Sequence, residues 1–513
     1  MLNAFPSNAQ LIFQKTYGMP GNTEGSCLKP TYDGGYIIAG STNIPGGFNA
    51  EICLIKTDVN GDTLWTKTFG GPNGDYGYSV EQTTDSGYIV LGNMEINAGN
   101  VDGYLVKTNA AGNLLWSKNF GGTGFDNATS VHQTIDGGYI VTGQFFVTGA
   151  YAQLIKFNAS GNILWAKELV SSGGARDVQQ TTDSGYVITG TDYSDIFLMK
   201  TDAAGNFTWS KSYDGTYIDR GVSVQQTTDG GYIITGNIYD GATNYHYAHL
   251  IKTDANGDTL WVKTYGGTTD DWGNDVQQTT DGGYIVTGKS GVYNFNLNPG
   301  DVSLIKTDSM GNFLWSKAFS GTSLDVGNSL FQTSDGGYVI AGSYHDAPGS
   351  SNFYVYLIKT DSSGNGGCND TSWVPTVISY PMQVSFPSSS GNPTSMNIAS
   401  PATVTGSGGI VNTLCTSVGM NEIISDHSFT IFPNPSKGSF TISYPGNFLK
   451  GEIEIYSAFG SRVYSADITH DNNKIIHLGN ISPGIYFMKV FVYPGLPGNR
   501  EWQFTKKLII TKD

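Results

Sequence analysis

The stretch TTDGGYIITG, residues 227–236, occurs in nearly the same form seven times along the chain. Successive copies are 52, 51, 47, 46, 52 and 54 residues apart, measured between their aspartates. A period near 50 residues is typical of one supersecondary unit that is stacked repeatedly. The seven motifs begin at Asp33, Asp85, Asp136, Asp183, Asp229, Asp281 and Asp335.

The composition narrows the class of protein. Among 513 residues there are 69 glycines, 12% are aromatic and only 14% are charged. This balance is typical of a turn-rich, all-β globular protein and not of a disordered chain. The net charge of −16, with no basic stripe, argues against nucleic-acid binding. No run of 18 apolar residues occurs, so we predict no transmembrane segment.

Each repeat contains four short apolar segments, which in the fifth repeat are FTWSKSYDG, SVQQT, GYIITG and HLIKTD. They are rich in Val, Ile, Tyr and Thr and are bounded by Gly, Asp and Asn, as strands are. Four-stranded sheets repeated at this spacing predict an all-β fold, a seven-bladed β-propeller over residues 10–365. The W-x-K, DGGYIVTG and LIKTD-x-x-GN pattern over residues 11–365 resembles the repeats of secreted bacterial propeller proteins.

Two glycine turns punctuate each repeat. In TTDGGY the second glycine never varies within the chain, so we expect it to have a positive φ, as in a type I turn closed by a bulge. The LIKTDANGDTLW turn also keeps one glycine; its carboxylates are lost in most copies, which favours a hairpin turn over a calcium loop. The first set is Gly35, Gly87, Gly138, Gly185, Gly231, Gly283 and Gly337, and the second is Gly61, Gly112, Gly161, Gly205, Gly257, Gly311 and Gly364.

One large aromatic residue follows the second turn in each repeat and is expected to pack between neighbouring sheets. The first segment, LIFQKTYG, corresponds to this strand, while the last repeat ends at Asp361 without one. Residues 11–18 should therefore pair with residues 355–361 and close the ring. The aromatic residues are Phe13, Trp65, Trp116, Trp165, Trp209, Trp261 and Trp315.

The ends of the chain indicate export. Ser7-Asn8-Ala9 resembles the cleavage end of a secretory signal, so residues 1–9 are interpreted as a signal-peptide remnant, with a disordered N-terminus as the alternative. Residues 366–425 are rich in Ser, Thr, Pro and Gly and predict a linker with a few strands. Cys368 and Cys415 bracket this linker and could form a disulfide in an exported protein. Cys27 and Cys53 are expected to be buried and free.

Residues 426–513 carry FPNPSKGSF, GEIEIYSAFGSRVYS, LGNISPGIYFMKV and KKLIITKD. This series resembles the C-terminal sorting domain of the type IX secretion system of Bacteroidetes. The resemblance implies a small β-sandwich that interacts with the secretion machinery and is usually cleaved as the protein is anchored or released. It implies localisation at the outer cell surface or outside the cell, and it requires an N-terminal export signal.

An acidic residue lies four residues before the serine position of the SVQQT strand in five repeats. Asn22 stands there in the first repeat, and the fourth has a shorter loop that contains Arg176. In a propeller these loops surround one mouth of the channel. The carboxylates either bond the backbone amides of the turns or bind a ligand or cation; catalysis by paired carboxylates is a third alternative. The five are Asp75, Asp126, Asp219, Asp271 and Asp325.

The connections from GYIVTG to LIKTD differ in every repeat and should lie on the same face as the acidic loops. Aromatic rings beside carboxylates and amides suit sugar binding, although the rings could also merely pack the loops together. The candidate residues are Tyr193, Tyr245, His246, Tyr247, Tyr293, Phe295, Tyr344 and His345.

No zinc-like spacing, nucleophile motif, phosphate loop or dinucleotide fingerprint appears, and we predict no metal, no cofactor and no catalytic residue. The favoured hypothesis is an exported, monomeric binding or adhesion protein whose propeller binds a glycan or surface ligand. The alternative is a secreted enzyme that acts on polysaccharide or peptide through carboxylates at the propeller mouth. An acid or histidine unique to one blade, beside a deep pocket, would favour the enzyme.

Overall fold

The computed structural model divides into two compact units, residues 1–419 and 420–513. In the residues that it describes, no helix is long and apolar enough to cross a membrane. The described residues are 11–19, 21–43, 49–146, 150–170, 173–215, 217–291, 300–319, 324–346, 352–379, 383–385, 397–399, 404–406, 410–418, 430–432, 436–443, 450–457, 462–468, 473–478, 482, 484–493 and 502–511. The predicted signal-peptide remnant lies outside them.

The first unit is the predicted seven-bladed propeller, in which every blade is an antiparallel sheet; in blades 1 to 6 the four strands follow chain order from the channel outward, and in blade 7 the outermost of the four is β1. Blade 1 contains β2 (Thr23–Pro30), β3 (Tyr36–Asn43), β4 (Ala50–Thr57) and β5 (Thr63–Gly70); blade 2, β6 (Asp75–Gln82), β7 (Tyr88–Asn97), β8 (Asn100–Thr108) and β9 (Leu114–Gly121); blade 3, β10 (Asn127–Gln133), β11 (Tyr139–Phe146), β12 (Ala150–Phe157) and β13 (Ile163–Val170); blade 4, β14 (Gly174–Gln180), β15 (Tyr186–Asp192), β16 (Asp195–Thr201) and β17 (Phe207–Asp214); blade 5, β18 (Arg220–Gln226), β19 (Tyr232–Asp240), β20 (Tyr245–Thr253) and β21 (Thr259–Gly266); blade 6, β22 (Trp272–Gln278), β23 (Tyr284–Ser290), β24 (Asp301–Thr307) and β25 (Phe313–Phe319); blade 7, β26 (Val326–Gln332), β27 (Tyr338–His345), β28 (Phe353–Lys359) and β1 (Leu11–Gly18).

The N-terminal strand closes the ring, as the sequence predicts. Strand β1 pairs antiparallel with β28, and Phe13 lies opposite Lys359 while Tyr17 lies opposite Val355. The innermost strands contact one another in an unbroken circle, from β2 through β26 and back to β2. The first and last segments of the propeller are thus held in one sheet, which leaves no gap between blades 7 and 1.

The aromatic residue of each outermost strand packs on the glycine turn of the next blade, which confirms its role as a wedge. A Cβ atom at Gly112 would lie 2.7 Å from the Trp65 ring, and one at Gly61 would lie 2.8 Å from Phe13. Each of these turn glycines also has a positive φ, 75° at Gly61 and 73° at Gly112. Phe13 continues the series across the junction where the chain ends meet.

The prediction for the TTDGGY turn is wrong in its details. The positive φ belongs to the first position of the pair, where Gly230 has 84° and Ser184 has 67°. Two natural serines occupy that position because the space beside it is open; nothing lies within 4 Å of a Cβ at Gly230. The second glycine is required by packing, since a Cβ at Gly231 would overlap the carbonyl oxygen of Thr253 and lie 2.7 Å from Lys252 Nζ.

A buried lysine explains that close packing. Lys252 is 3% exposed, and its ammonium donates to Asp229 Oδ1 at 3.1 Å and to the Thr253 carbonyl at 2.8 Å. The same aspartate accepts bonds from Thr227 and from the Gly231 amide. The lysine of LIKT and the aspartate of TTDGG therefore form one repeated ion pair, seen at Lys56, Lys107, Lys156, Lys200, Lys252, Lys306 and Lys359.

Glutamines of the SVQQT strands link neighbouring blades, as between blades 4 and 5. Gln179 Oε1 of blade 4 accepts the Gln226 amide of blade 5 at 2.6 Å. Gln226 Oε1 in turn accepts the Thr182 amide of blade 4 at 2.9 Å. These bonds satisfy backbone amides near the innermost strands, which are not paired with a strand of the neighbouring sheet.

Residues 366–425 are predicted to be a linker with a few strands, and between 370 and 418 the structure has short strands that pair with the blades. This outer segment adds a fifth, antiparallel strand to the outer edge of six blades and so covers strand edges that would otherwise be open. Within the described residues, blade 3 has four strands. The added strands are β29 (Asp370–Thr371) on blade 6, β30 (Thr376–Ser379) on blade 5, β31 (Gln383–Ser385) on blade 4, β32 (Asn397–Ala399) on blade 2, β33 (Val404–Gly406) on blade 1 and β34 (Ile410–Val418) on blade 7.

The cysteines of the propeller behave as predicted, because Cys27 and Cys53 are both buried and free. The disulfide between Cys368 and Cys415 stays a prediction, since the Cys415 side chain lies outside the described residues. The backbone brings both cysteines to one place: Gln14 donates to the Cys368 carbonyl, and Cys415 is the partner of Gln14 across β1 and β34.

The second unit consists of two small sheets. Phe440, Ile442 and Ile476 of one sheet are buried together with Ile453 and Met488 of the other, as in a β-sandwich. One sheet has the order β35 (Thr430–Phe432), β36 (Ser439–Ser443), β39 (Asn473–His477), and the other has the order β38 (Arg462–Ile468), β37 (Lys450–Ser457), β40 (Gly484–Tyr493), β41 (Trp502–Ile510).

Neighbouring glycines in one turn allow a matched test of the packing argument. Gly231→Ala should cost about 3 kcal/mol or more of unfolding free energy, because the methyl group displaces the buried lysine and a backbone carbonyl. Gly230→Ala should cost only about 1 kcal/mol, the penalty for a left-handed alanine in open space. Urea denaturation of both variants measures the difference, and equal losses would contradict the packing role.

The Lys–Asp ion pair predicts a pH dependence. Partial burial works against the charge of Asp183, but bonds from Lys200, Thr181 and the Gly185 amide lower its pKa to about 2. Because this pKa lies below that of the unfolded chain, the stabilisation is complete above about pH 4 and is lost as the pH falls toward 2. The stability gap between wild type and Asp183→Asn should therefore shrink in thermal melts between pH 5 and 2. A gap that stays constant would contradict the ion pair.

Candidate functional site: the loop-side mouth of the channel

The two faces of the propeller differ. The short TTDGG and TDxxG turns form one, which we call the turn face. The other, the loop face, carries the connections from the fourth strand of one blade to the next blade and from the second strand to the third. Hydrogen bonds tie these two kinds of connection together: the Asp126 amide donates to the Val101 carbonyl at 2.7 Å, and the Asp271 amide donates to the His246 carbonyl at 2.8 Å.

The five repeated aspartates lie on the loop face but do not line an open ring of carboxylates. All are at most 2% exposed, so the expectation that they contact a ligand does not fit their placement. Asp126 accepts the Gly122 and Phe146 amides, both at 2.5 Å, and Asp325 accepts the His345 amide at 2.9 Å. The turn-supporting interpretation accounts for these contacts. In the first repeat, Thr23 takes the place assigned to Asn22, and its hydroxyl accepts the Met19 amide at 3.0 Å.

Burial controls the charge of these carboxylates. It raises the pKa of Asp75, Asp219 and Asp271 to about 7 each, although amide bonds from Gly71, Tyr239 and Gly267 respectively act in the other direction. Because these pKa values lie near neutrality, the three carboxyl groups are partly protonated at pH 7.

At three of the five aspartates, a residue beside the buried carboxylate is exposed. Phe125, directly before Asp126, is 56% exposed, and Tyr76, directly after Asp75, is 46% exposed. Tyr217, two residues before Asp219, is 48% exposed. At these three positions a buried carboxylate fixes a loop whose neighbouring side chain projects from the loop face, whereas the residues beside Asp271 and Asp325 are half-buried.

The predicted aromatic residues divide into three groups. Tyr193 is strongly exposed, while Tyr245 and Tyr344 are half-buried. Tyr247 is buried and donates to Thr243 Oγ1 at 2.8 Å, so it packs the loop and is wrong as a contact residue. Tyr293 and Phe295 lie outside the described residues, while His246 and His345 are half-buried.

A cavity of about 550 Å3 opens at the centre of the loop face. It narrows into the channel, where a second cavity of about 390 Å3 is lined by the innermost strands. One residue per blade, at the bulge of the innermost strand, lines both: Ser26, Tyr78, Thr129, Arg176, Val222, Asn274 and Asn328. The residue type at this position differs between blades, except that blades 6 and 7 both have asparagine.

A row of rings leads from the rim of blade 5 to this cavity. Tyr239 packs on Tyr217 at 5.4 Å, His246 on Tyr239 at 5.1 Å, and Trp272 on His246 at 5.9 Å between ring centroids. Lys289 Nζ lies 4.5 Å from the centroid of Trp272. Sequence reasoning missed Trp272, although it is a tryptophan outside the repeated wedge position, which is a usable signal.

Charged residues deeper in the channel were also missed. Asp275 accepts the Leu330 amide of the next blade at 2.8 Å, and Asp177 accepts the Val224 amide at 3.0 Å. Both stand where other blades have serine or cysteine, and they join blades in the same way as Ser79. His132 Nδ1 lies 3.4 Å from Glu81, whose pKa is lowered by this contact and by the Gln133 amide against the effect of burial.

No group of three or more metal-ligating side chains is found among the described residues. Of the seven histidines, His249 is fully buried, and burial lowers its pKa to about 3. It is therefore neutral and forms part of the core.

The anchoring role of the aspartates can be tested at adjacent residues. Asp126→Ala removes the acceptor of two buried amides and should lower the unfolding free energy by about 2–4 kcal/mol. Phe125→Ala, one residue away and exposed, should change it by less than about 0.5 kcal/mol. Urea denaturation distinguishes the two; an Asp126→Ala protein as stable as wild type would show that the carboxylate is not an anchor.

Comparison with known protein families gives a match in the second unit. Residues 430–511 match the secretion system C-terminal sorting domain. No curated protein matches the chain. Among solved structures, a protein of unknown function from Bacteroides caccae has 13% identity and a TM-score of 0.32, covering 49% of this chain and 93% of its own.

Two further solved structures have similar scores. An alpha-L-arabinanase from Penicillium chrysogenum in complex with arabinobiose has 11% identity and a TM-score of 0.41, covering 69% of this chain and 99% of its own. Sqt1 from Chaetomium thermophilum has 9% identity and a TM-score of 0.43, covering 70% and 87%. The strand topology and the sorting-domain match together identify the chain as a seven-bladed β-propeller protein that carries a type IX sorting domain and is exported to the cell surface or beyond.

Proposed function

We propose that the propeller is a glycan-binding module that the sorting domain delivers to the outside of the cell. The observation that carries the proposal is the contrast on the loop face between buried anchors and exposed rings. Asp75 and Asp126 are buried, whereas their neighbours Tyr76 and Phe125 project from the surface. A rigid scaffold that displays different side chains from each repeat is suited to binding.

The chemistry of the mouth favours sugar over peptide or lipid. Flat rings pack on the apolar faces of sugars, and amide and cationic groups bond the hydroxyls. The mouth supplies both kinds of group: Tyr78 and Trp272 line the cavity together with Asn127, Asn274 and Asn328. Its volume of about 550 Å3 lies in the range of small-ligand sites.

The hydrolase alternative has less support. Two carboxylates must face each other across a bound sugar, one of them free to exchange a proton. Asp177 and Asp275 have their oxygens engaged by amides and hydroxyls of neighbouring blades. The pair Glu81 and His132 is the remaining candidate beside the channel, and a reducing-end assay on any bound oligosaccharide would reveal it.

A glycan array probed with the full chain tests the proposal. For an oligosaccharide that binds, Tyr78→Ala and Tyr217→Ala should each weaken affinity at least about tenfold, a loss of about 1.4 kcal/mol. The melting temperature should not change, because both rings are partly exposed. Tyr32→Ala is the matched control, since Tyr32 is 70% exposed on the turn face.

The array also shows how the proposal would fail. Absence of any glycan ligand would contradict it, as would a ligand whose affinity drops in Tyr32→Ala and not in Tyr78→Ala. Absence of a glycan ligand would favour protein binding instead. A loss of affinity in Tyr32→Ala alone would show that the glycan binds to the turn face.

A further inference from the structure

The two arginines of the propeller lie on neighbouring innermost strands near the loop-side mouth. Arg176 and Arg220 are the only arginines between residues 10 and 365. Arg176 lies in β14 of blade 4, and Arg220 begins β18 of blade 5, so they occupy adjacent innermost strands near the loop face. Both are exposed, and Arg176 lines the 550 Å3 cavity.

Neither guanidinium has an acidic partner within the part of the chain that the structure describes. The two cations act on each other: desolvation and the charge of Arg220 lower the pKa of Arg176, and Tyr78 acts in the opposite direction. Asp177, the carboxylate next along the chain, is directed to other groups, since it accepts bonds from Ser130 Oγ at 2.8 Å and the Val224 amide at 3.0 Å.

This pair differs from the repeated lysines of the propeller. The lysine of each LIKT segment, such as Lys200, is bound to an aspartate of the adjacent turn. In a chain with a net charge of −16, two adjacent unpaired arginines are a local exception. Their mutual repulsion is relieved when an oxyanion lies between them, and guanidinium groups bind carboxylate and sulfate through two parallel hydrogen bonds.

We propose that Arg176 and Arg220 bind the carboxylate or sulfate group of an acidic polysaccharide at the mouth. The inference rests on the proposed glycan-binding function and adds the class of ligand to it. Uronate and sulfated sugars share this oxyanion chemistry. The aromatic residues Tyr78 and Trp272 would hold the sugar rings while the arginines select the charged group.

Binding of three polymers to the full chain in 150 mM salt tests the inference. Polygalacturonate supplies carboxylates, dextran sulfate supplies sulfates, and unmodified dextran is neutral. Binding of either anionic polymer should weaken at least tenfold in Arg176→Gln and in Arg220→Gln. Lys67→Gln makes the same charge change on the outermost strand of blade 1, half-buried and away from the mouth, and should bind as wild type does.

The outcomes distinguish failure of the arginine inference from failure of the proposed glycan-binding function. Loss of binding to polygalacturonate alone, or to dextran sulfate alone, supports the inference and identifies which oxyanion is recognised. If neutral glycans bind and the arginine variants bind them unchanged, while neither anionic polymer binds, the inference is wrong and the glycan-binding function stands. If no glycan binds, both are wrong. Equal binding of inorganic polyphosphate, or equal weakening in Lys67→Gln, would show general attraction of polyanions and would also overturn the inference.

Discussion

The propeller depends on the closure of its ring. Each blade buries its faces against two neighbours, so the first and last blades would expose apolar surface if the chain ends did not meet. Strand β1 prevents this by pairing with β28, and Phe13 fills the place on the Gly61 turn that tryptophan fills elsewhere. Strand β34 then covers the other edge of β1. The closing strand is therefore held on both sides.

Within each repeat of the closed ring, the recurring residues and the varying residues have different roles. The residues that recur, such as the lysine of LIKT and the buried aspartates, satisfy polar groups at the blade edges and in the loops. The residues that differ are displayed at the loop-side mouth. Arg176, Trp272 and Tyr78 depart from the repeat pattern, and each lines the cavity. In a repeat protein of this kind, binding chemistry is expected where the repeat is broken.

Some of this organisation could be predicted from the sequence, because it depends on local periodicity. The spacing of the DGGY motifs predicts the blades, and the lone N-terminal strand predicts closure. The role of Gly231 could not be predicted, since the contact with Lys252 joins residues 21 positions apart and has no local signature. The aspartates were ambiguous for a related reason: sequence places Asp126 near the mouth but does not reveal that Gly122 and Phe146 amides surround it.

The pairing of the outer segment with the blades was not predicted from the sequence, although a few strands were. The segment's Ser, Thr, Pro and Gly content is typical of a linker, but its strands are held through backbone hydrogen bonds, which composition does not reveal. The arginine pair was likewise hidden, because Arg176 and Arg220 are separated by a whole blade in sequence and meet only once the innermost strands are placed side by side.

The central claim, that a closed ring of repeats presents one ligand site at its loop-side mouth, is tested most directly by a crystal structure of the full chain with a bound oligosaccharide. The account predicts sugar density over Tyr78 and Trp272, within hydrogen-bonding distance of Arg176, with the buried aspartates still bonded to their loop amides. Density on the turn face or along the outer segment, with the mouth empty, would contradict it.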